Sequence, residues 1–404
     1  MFEDVDLSGT MAVVLAGGQG SRLHELTQRD CKPALPFTRF HRIVDFAMAG
    51  LQRSGVGRTI LATQYCPANL NSHIMSTWGQ SVADGKLMLR HGPDVAPGQG
   101  YRGTADVLRA NAALLDEMGA REILILAADH VYSMDYRHLV ASHRQSGAAV
   151  TLAAMPVPIA DAGRFGIVTP GPDGRIARFA EKPAIPESIP GEPELSLASL
   201  GIYVADWPWL KAALQDPQQQ DFGMDVIPHA VAQGDAAAFR WSGYWRDVGT
   251  LDALRESWLD FDTGPTPCRR PLVPGMSLPD LDHFLARDRF RARVTMGGLK
   301  LMSPLLGSAD TVRWAALDRS ILMPGAQIGP GVRLTNVIVG PGAIIADGIQ
   351  IGEDPDEDRR WFRIAGDTTL VTVAMLARRG ALRPRSHSIL ALKPGLFRSR
   401  MRTS

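Results

Sequence analysis

The sequence predicts an α/β protein: a mostly parallel sheet flanked by helices, followed by a parallel β-helix. Three observations carry this. Short runs that are apolar at every position lie between helix-spaced segments in the first two thirds of the chain. Pro and Gly cluster just after Asp262, and beyond them short apolar pieces recur about two hexads apart. A run without polar alternation suits a strand covered on both faces, the usual situation in parallel sheets.

Met11–Ala16, Thr59–Ala62 and Glu122–Ala127 are such runs, and the first ends in glycines. Between the last two, Val107, Leu108, Ala112 and Leu115 fall at helical spacing, which predicts a helix over 105–118. Ala148–Pro156, Ala198–Val204 and Trp245–Thr250 add further strands, so residues 1–262 are expected to form one domain with its site at the carboxyl ends of the strands. Residues 263–296 read as a linker because Gly264–Pro279 is rich in Pro and Gly. Over 297–376, Ile328-Gly329, Val339-Gly340 and Ile351-Gly352 alternate with turns at Pro324-Gly325, Pro330-Gly331 and Pro341-Gly342. That is hexapeptide-repeat spacing, in which each short strand stacks on the coil below; an ordinary β-meander is the alternative. A coil of this kind buries little alone, so its expected role is packing and assembly. The stretch 377–404, rich in Arg and without an acidic residue, reads as a solvated tail.

The bulk numbers exclude other classes. With 45% hydrophobic and 21% charged residues in 404, the chain is globular and not disordered. A formal net charge of +1 supplies no global field for nucleic acid or anionic lipid, so neither is an expected partner. Three cysteines are too few and too scattered for a disulfide framework or a zinc site. Met1–Thr10 lacks the basic and apolar regions of a leader, and no apolar run reaches membrane-spanning length; the cytoplasm is the expected location.

Leu15-Ala-Gly-Gly-Gln-Gly-Ser-Arg-Leu23 follows the first strand directly. Gly17, Gly18 and Gly20 let the main chain turn sharply and bring its N–H groups close to phosphate oxygens. No Gly-Lys-Ser/Thr ending makes it a P-loop, and Arg22 stands where a dinucleotide fingerprint places its third glycine. Arg22 instead offers a planar fork for phosphate, and Lys32, in Lys32-Pro33-Ala34, supplies a second cation.

This loop with Lys32-Pro33 resembles the signature of the sugar-phosphate nucleotidylyltransferases. Tyr101-Arg-Gly-Thr-Ala-Asp106, Ala128-Asp-His130, Phe165-Gly166, Glu181-Lys-Pro183, Leu200–Tyr203, Asp221-Phe-Gly223 and Trp245–Thr250 follow in order. They narrow the resemblance to the branch that adenylylates glucose 1-phosphate. It covers nearly the whole chain apart from about 84–100 and the tail. It implies a Rossmann-like nucleotidyltransferase domain, a left-handed coil, and a homotetramer assembled through that coil. It also implies the substrates ATP and glucose 1-phosphate, the products ADP-glucose and pyrophosphate, and control by small-molecule effectors.

The same resemblance implies the site. The attacking phosphate oxygen is already ionised, so the work is positioning and charge neutralisation, and no general base is required. Asp129 and Asp247 would hold Mg²⁺, Arg22 the β- and γ-phosphates, and Lys32 the reacting phosphate. Leu15, Gly17, Gly18, Gly20, Gln64, Gly103 and Thr104 would line the nucleotide, with Gln64 on the base edge. Tyr101, Gly166, Glu181, Lys182 and Ser199 would receive the sugar phosphate, Lys182 through its charge and Glu181 through the hydroxyls. His130 reads as structural.

The pattern also departs from the family. A Gln-Gln pair usual in bacterial members falls near Gly92-Pro93 here, a frequent Trp is Gly100, and a Lys of activator-regulated members is His24. These changes bear on base selectivity and control. The rival functions are a weak or silent regulatory subunit, which would tend to lose the Arg or Lys of the loop, a sugar-1-phosphate nucleotidyltransferase with another base preference, and an acyltransferase, which would need a His that 301–366 does not contain.

Overall fold

The computed structural model describes residues 5–38, 41–171, 174–262, 266–274, 292–296, 299–303 and 314–382. The main sheet and the site of the first domain are built on strands β1 (Thr10–Ala16), β2 (Arg58–Thr63), β3 (Leu87–His91), β4 (Glu122–Ala127), β5 (His130–Tyr132), β6 (Val150–Pro158), β7 (Gly166–Pro170), β8 (Ile176–Glu181), β9 (Leu195–Asp206), β10 (Ala236–Arg240) and β11 (Trp245–Asp247). The main sheet runs β8-β7-β9-β4-β1-β2-β3, with β6 pairing β9 and β10. Its centre, β4-β1-β2-β3, is parallel throughout, whereas β9 runs antiparallel to β4, β6 and β7.

Alternate residues of β1 feed two cores, one on each face of the sheet. Ala12, Val14 and Ala16 pack with Leu61, Leu124 and Leu126; Met11 and Val13 pack with Ile60, Ile123 and Ile125. That is why the run shows no polar alternation. The parallel register then positions the site. Ala16 lies opposite Thr63, and Leu15 opposite Ala127, so Gly17, Gln64 and Asp129 leave the sheet at one edge.

The helix expected over 105–118 is two helices, Thr104–Ala110 and Ala112–Glu117. The break is Asn111 (φ −107°, ψ 10°), a buried residue whose Nδ2 donates to Val107 O and to the Tyr101 hydroxyl. Strand β9 also bends: its register shifts between Ser199 and Tyr203, where Gly201 takes a φ of 67°.

The second domain is a three-sided parallel coil. Ala316 pairs with Arg333 and Arg333 with Gln350, Ile321 pairs with Ile338, and Gln327 with Ile344, each step being 17 residues. Leu317, Leu334 and Ile351 consequently stack in register and are all buried. Gly325, Gly331 and Gly342, each after a proline, turn the corners with φ between 67° and 77°, a conformation that side chains resist. The meander alternative is thereby excluded for these strands, which pair in parallel.

Two boundaries differ from expectation. Strand Ala292–Met296 lies within residues assigned to the linker, yet pairs antiparallel with Leu299–Ser303. Upstream, Val273 is buried in the first domain's core, and the buried His41 binds Pro271 O through Nε2 at 2.9 Å, so this part of the segment is anchored and not a free connector. The basic tail begins as helix: Val373–Leu382 continues past 377, with Arg378 donating to Trp361 O at 2.7 Å and Arg379 over the Phe362 ring. The rest of the tail lies outside the described residues.

The domains share a core. Leu23 and Leu26, just beyond the glycine loop, pack with Leu251, Leu254 and Trp258 of the Leu251–Asp262 helix and with Ile321, Met323, Ile338 and Leu370 of the coil. Among the described residues no helix is long and apolar enough to cross a membrane.

Candidate active site

The antiparallel pair β5–β11 places His130 opposite Asp247, and Asp129 immediately precedes β5. Two carboxylates far apart in sequence thus face one another. Lys32 enters between them from a tight turn, Lys32–Ala34, whose shape Pro33 helps to set. Its Nζ lies 2.8 Å from Asp247 Oδ1 and 3.0 Å from Asp129 Oδ2, and the side chain is only 4% exposed. Arg22 approaches the same cluster from the solvent side, Nη2 lying 4.0 Å from Asp247 Oδ2 with the side chain 59% exposed. His130 Nε2 is 3.5 Å from Asp129 Oδ1, and its ring packs edge-on to Trp245. That packing agrees with a structural reading of His130.

The electrostatics follow from the geometry. Burial opposes ionisation of Asp129, but Lys32 and His130 prevail and hold its carboxyl at about 2. Asp247 is lowered for the same reasons, against burial and against the repulsion of Asp129. Burial works against the Lys32 ammonium too, yet the two aspartates raise it above the ordinary lysine value. All three groups are therefore charged near neutral pH.

The glycine loop is open. Gly17 and Gly18 are exposed, and a Cβ on Gly18 would meet nothing within 4 Å. Gly20 is constrained twice: its φ is 66°, and a Cβ there would lie 3.0 Å from Lys32 Cβ. Gly249 has a similar duty that its sequence position did not reveal. A Cβ on it would come within 2.9 Å of both Arg22 Nη2 and Asp247 Oδ1.

Glu181 and Lys182 form a second centre at the end of β8. Lys182 Nζ donates to Glu181 Oε1 at 2.6 Å and remains largely exposed; its main chain is left-handed (φ 47°) and its N–H is held by Phe165 O at 3.0 Å. The Glu181 carboxylate fits between two glycines. A Cβ on Gly166 would lie 2.8 Å from Oε2, and one on Gly223 2.7 Å from it. Asp221 holds Gly223 in place by accepting hydrogen bonds from the Gly223 and Met224 N–H groups. Gly223 is thus a second residue whose role needed tertiary contacts to be seen.

The chain matches the family described as nucleotidyl transferase over residues 11–263 and a GlmU-like, C-terminal hexapeptide family over 293–373. It is 34% identical to a glucose-1-phosphate adenylyltransferase of Jannaschia sp., covering 92% of this chain and 97% of that protein. Proteins of the same name from Bradyrhizobium diazoefficiens and Nitrosospira multiformis are each 35% identical, covering 91% and 92% of this chain and 96% and 95% of their own lengths. The chain belongs to the glucose-1-phosphate adenylyltransferase family.

Against that family's expected site, the structure brings Arg22, Lys32, Asp129 and Asp247 together, and it joins Gly166 to Glu181 and Lys182. Six other expected site residues are placed differently. The Tyr101 ring is buried, and its hydroxyl donates to Arg90 O and accepts from Asn111, both at 3.3 Å, so it faces the core and not a sugar phosphate. Gln64 binds the Tyr101 main chain through both ends of its carboxamide. Thr104 donates to Asp221 Oδ2 and accepts from Phe222 N–H, while a Cβ on Gly103 would overlap Gln220 O. Gly103 and Thr104 therefore dock the Asp221–Gly223 segment. Leu15 O is taken by Ala128 N–H at 3.1 Å, inside the sheet, and Ser199 is buried at the bend of β9.

Proposed function

We propose that the Lys32–Asp129–Asp247 cluster with Arg22 performs the phosphoryl chemistry, and that Glu181 and Lys182 hold the sugar phosphate. As a glucose-1-phosphate adenylyltransferase the chain transfers the adenylyl group of ATP to α-D-glucose 1-phosphate, giving ADP-glucose and pyrophosphate. An oxygen of the sugar phosphate forms a bond to the α-phosphorus, and the bond to the pyrophosphate oxygen breaks. The observation that carries the assignment is a buried lysine held between two ionised carboxylates beside an exposed glycine loop.

The donor set fits a divalent ion. Asp129 and Asp247 offer two carboxylates that face one another across the β5–β11 pair. That suits Mg²⁺, which keeps several waters and takes one or two carboxylates together with substrate phosphates. Asp129 and Asp247 would hold it, and when bound it neutralises charge on the phosphates. Lys32 steadies the transferring phosphate, and Arg22, largely exposed on the solvent side, receives the β- and γ-phosphates. Charge grows on the pyrophosphate as it leaves, so contacts from Arg22 count most in the transition state.

Assembly and control belong to the same reading. It includes a homotetramer assembled through the coil, and effectors would reach the glycine loop at a hollow of about 320 Å³ whose lining includes Gln19, Ser21, His24, Glu25, Gln28 and Arg363. The central test is pyrophosphate release from purified protein with glucose 1-phosphate and each of ATP, UTP, GTP and dTTP. ATP should dominate. Asp129→Asn or Asp247→Asn should lower turnover about a hundredfold or more, the scale of losing one preorganised electrostatic element. Near-normal turnover in both variants would remove the carboxylates from the mechanism, and no release with any nucleotide would point to a silent subunit.

A further inference from the structure

We infer that Lys32 is a resident counter-cation for Asp129 and Asp247: its ammonium lies between the two carboxylates that would hold a metal ion, and metal binds well only when an incoming triphosphate draws Lys32 away. The inference rests on the reading that these two aspartates are the metal ligands.

The charges make the case. Two carboxylates directed at one point repel each other, and removing charges from water is tolerated only with a close partner. Lys32 is that partner, with Nζ on one oxygen of each aspartate at 2.8 and 3.0 Å and its side chain nearly wholly buried. The other nearby groups add no negative charge: Arg22 sits 4.0 Å from the second Asp247 oxygen, and His130 Nε2 lies 3.5 and 3.9 Å from Asp129 and Asp247. A divalent ion arriving alone therefore meets two carboxylates whose charge is already answered, and it must displace a buried ammonium whose ion pairs, among the described residues, are with those two aspartates. A triphosphate supplies that anion. Lys32 can then exchange carboxylate for phosphate as the ion takes the aspartates. Metal and nucleotide are consequently linked, each raising the affinity of the other through one lysine.

The test is binding of Mn²⁺ without nucleotide, followed by the free-ion paramagnetic signal, in wild type, Lys32→Met and Asp129→Asn. Lys32→Met should bind Mn²⁺ at least about tenfold more tightly than wild type. Its thermal midpoint should fall in EDTA and recover more with Mn²⁺ than wild type gains. In wild type, a non-reacting ATP analogue should tighten Mn²⁺ binding, and Lys32→Met should lose most of that enhancement. Should Lys32→Met fold only when Mn²⁺ is present, the ion has replaced the missing ammonium, which is the expected behaviour. Equal or weaker Mn²⁺ binding in Lys32→Met, with binding still abolished by Asp129→Asn, would overturn the role of Lys32 while sparing the metal ligands. Mn²⁺ binding indifferent to Asp129→Asn, with or without the analogue, would overturn both.

Discussion

Gln64 closes both ends of its carboxamide on the main chain of Tyr101, donating from Nε2 to the carbonyl at 3.0 Å and accepting the N–H at 2.5 Å. Two glycines permit it. A Cβ on Gly92 would lie 2.5 Å from Gln64 Oε1, and one on Gly100, whose φ is 64°, 2.8 Å from it. Gln64 is therefore the clamp that fixes the segment leading into Tyr101, and a base contact from it would require the clamp to open.

From this clamp we expect Gln64→Leu to lower stability by about 1–3 kcal/mol, the cost of leaving main-chain groups unpaired. It should raise KM for ATP more than KM for glucose 1-phosphate. Placing Gln-Gln at Gly92-Pro93 is expected to weaken nucleotide binding and not to sharpen base choice, because the side chain at 92 meets Gln64 and the Tyr101 ring. Calorimetry and initial rates with ATP and UTP would check both; a sharpened ATP preference in the 92–93 variant would refute the clamp.

The two cationic arms should separate in kinetics. Lys182→Ala removes one charge-assisted contact, worth roughly 1.5–3 kcal/mol, so KM for glucose 1-phosphate should rise about 10- to 100-fold with little change for ATP. Arg22→Ala should instead lower kcat, since its contact strengthens as charge builds on pyrophosphate. Equal weakening of both substrates by Lys182→Ala would show that the division is wrong.

The pH dependence of the Lys32 bridge has two edges. Asp129 is depressed to about 2, so its stabilising share is complete above its unfolded value and disappears as pH falls from about 4 toward 2. Lys32 is raised, so its share is complete below the ordinary lysine value and is lost only as pH climbs through the higher folded one. The stability difference between wild type and Asp129→Asn should accordingly be flat from about pH 5 to 9 and shrink in acid. Denaturant titrations across that range would measure it; a slope near neutrality would contradict the assignment.

Arg255 ties the two domains. From the Leu251–Asp262 helix it donates to Thr368 Oγ1, Arg319 O and Asn336 Oδ1 at 2.9, 3.0 and 2.8 Å, and it is 1% exposed. Arg319 and Asn336 are corners of the coil in left-handed conformations. Arg255→Met should destabilise the protein by at least about 3 kcal/mol by leaving these groups unpaired. Because Leu23 and Leu26 share the same core, turnover should fall with it. Arg255→Lys should recover little, lacking the planar fork. Unchanged unfolding midpoints in Arg255→Met would refute the role.

Local pattern determined much of this protein. The apolar runs at Met11–Ala16 and Glu122–Ala127, the hexad spacing with its Pro-Gly corners, and the glycine loop with Arg22 and Lys32 were legible because each depends on residues only a few positions apart. The parallel register also carried Gly17, Gln64 and Asp129 to one edge, as strands of those lengths imply. Tertiary structure decided what depends on distant partners. Asp129 meets Asp247 only because β5 pairs β11, and Lys32 becomes their counter-ion only once buried between them. Tyr101, Gln64 and Thr104 carry polar groups suited to a ligand, yet each finds a protein partner first, on segments that sequence spacing does not relate. Arg255 looks like a solvent-facing helix residue until the coil covers it. Periodicity reports which face of an element is apolar; which neighbour then takes each polar atom is settled by packing, since every buried donor must find an acceptor wherever the fold provides one.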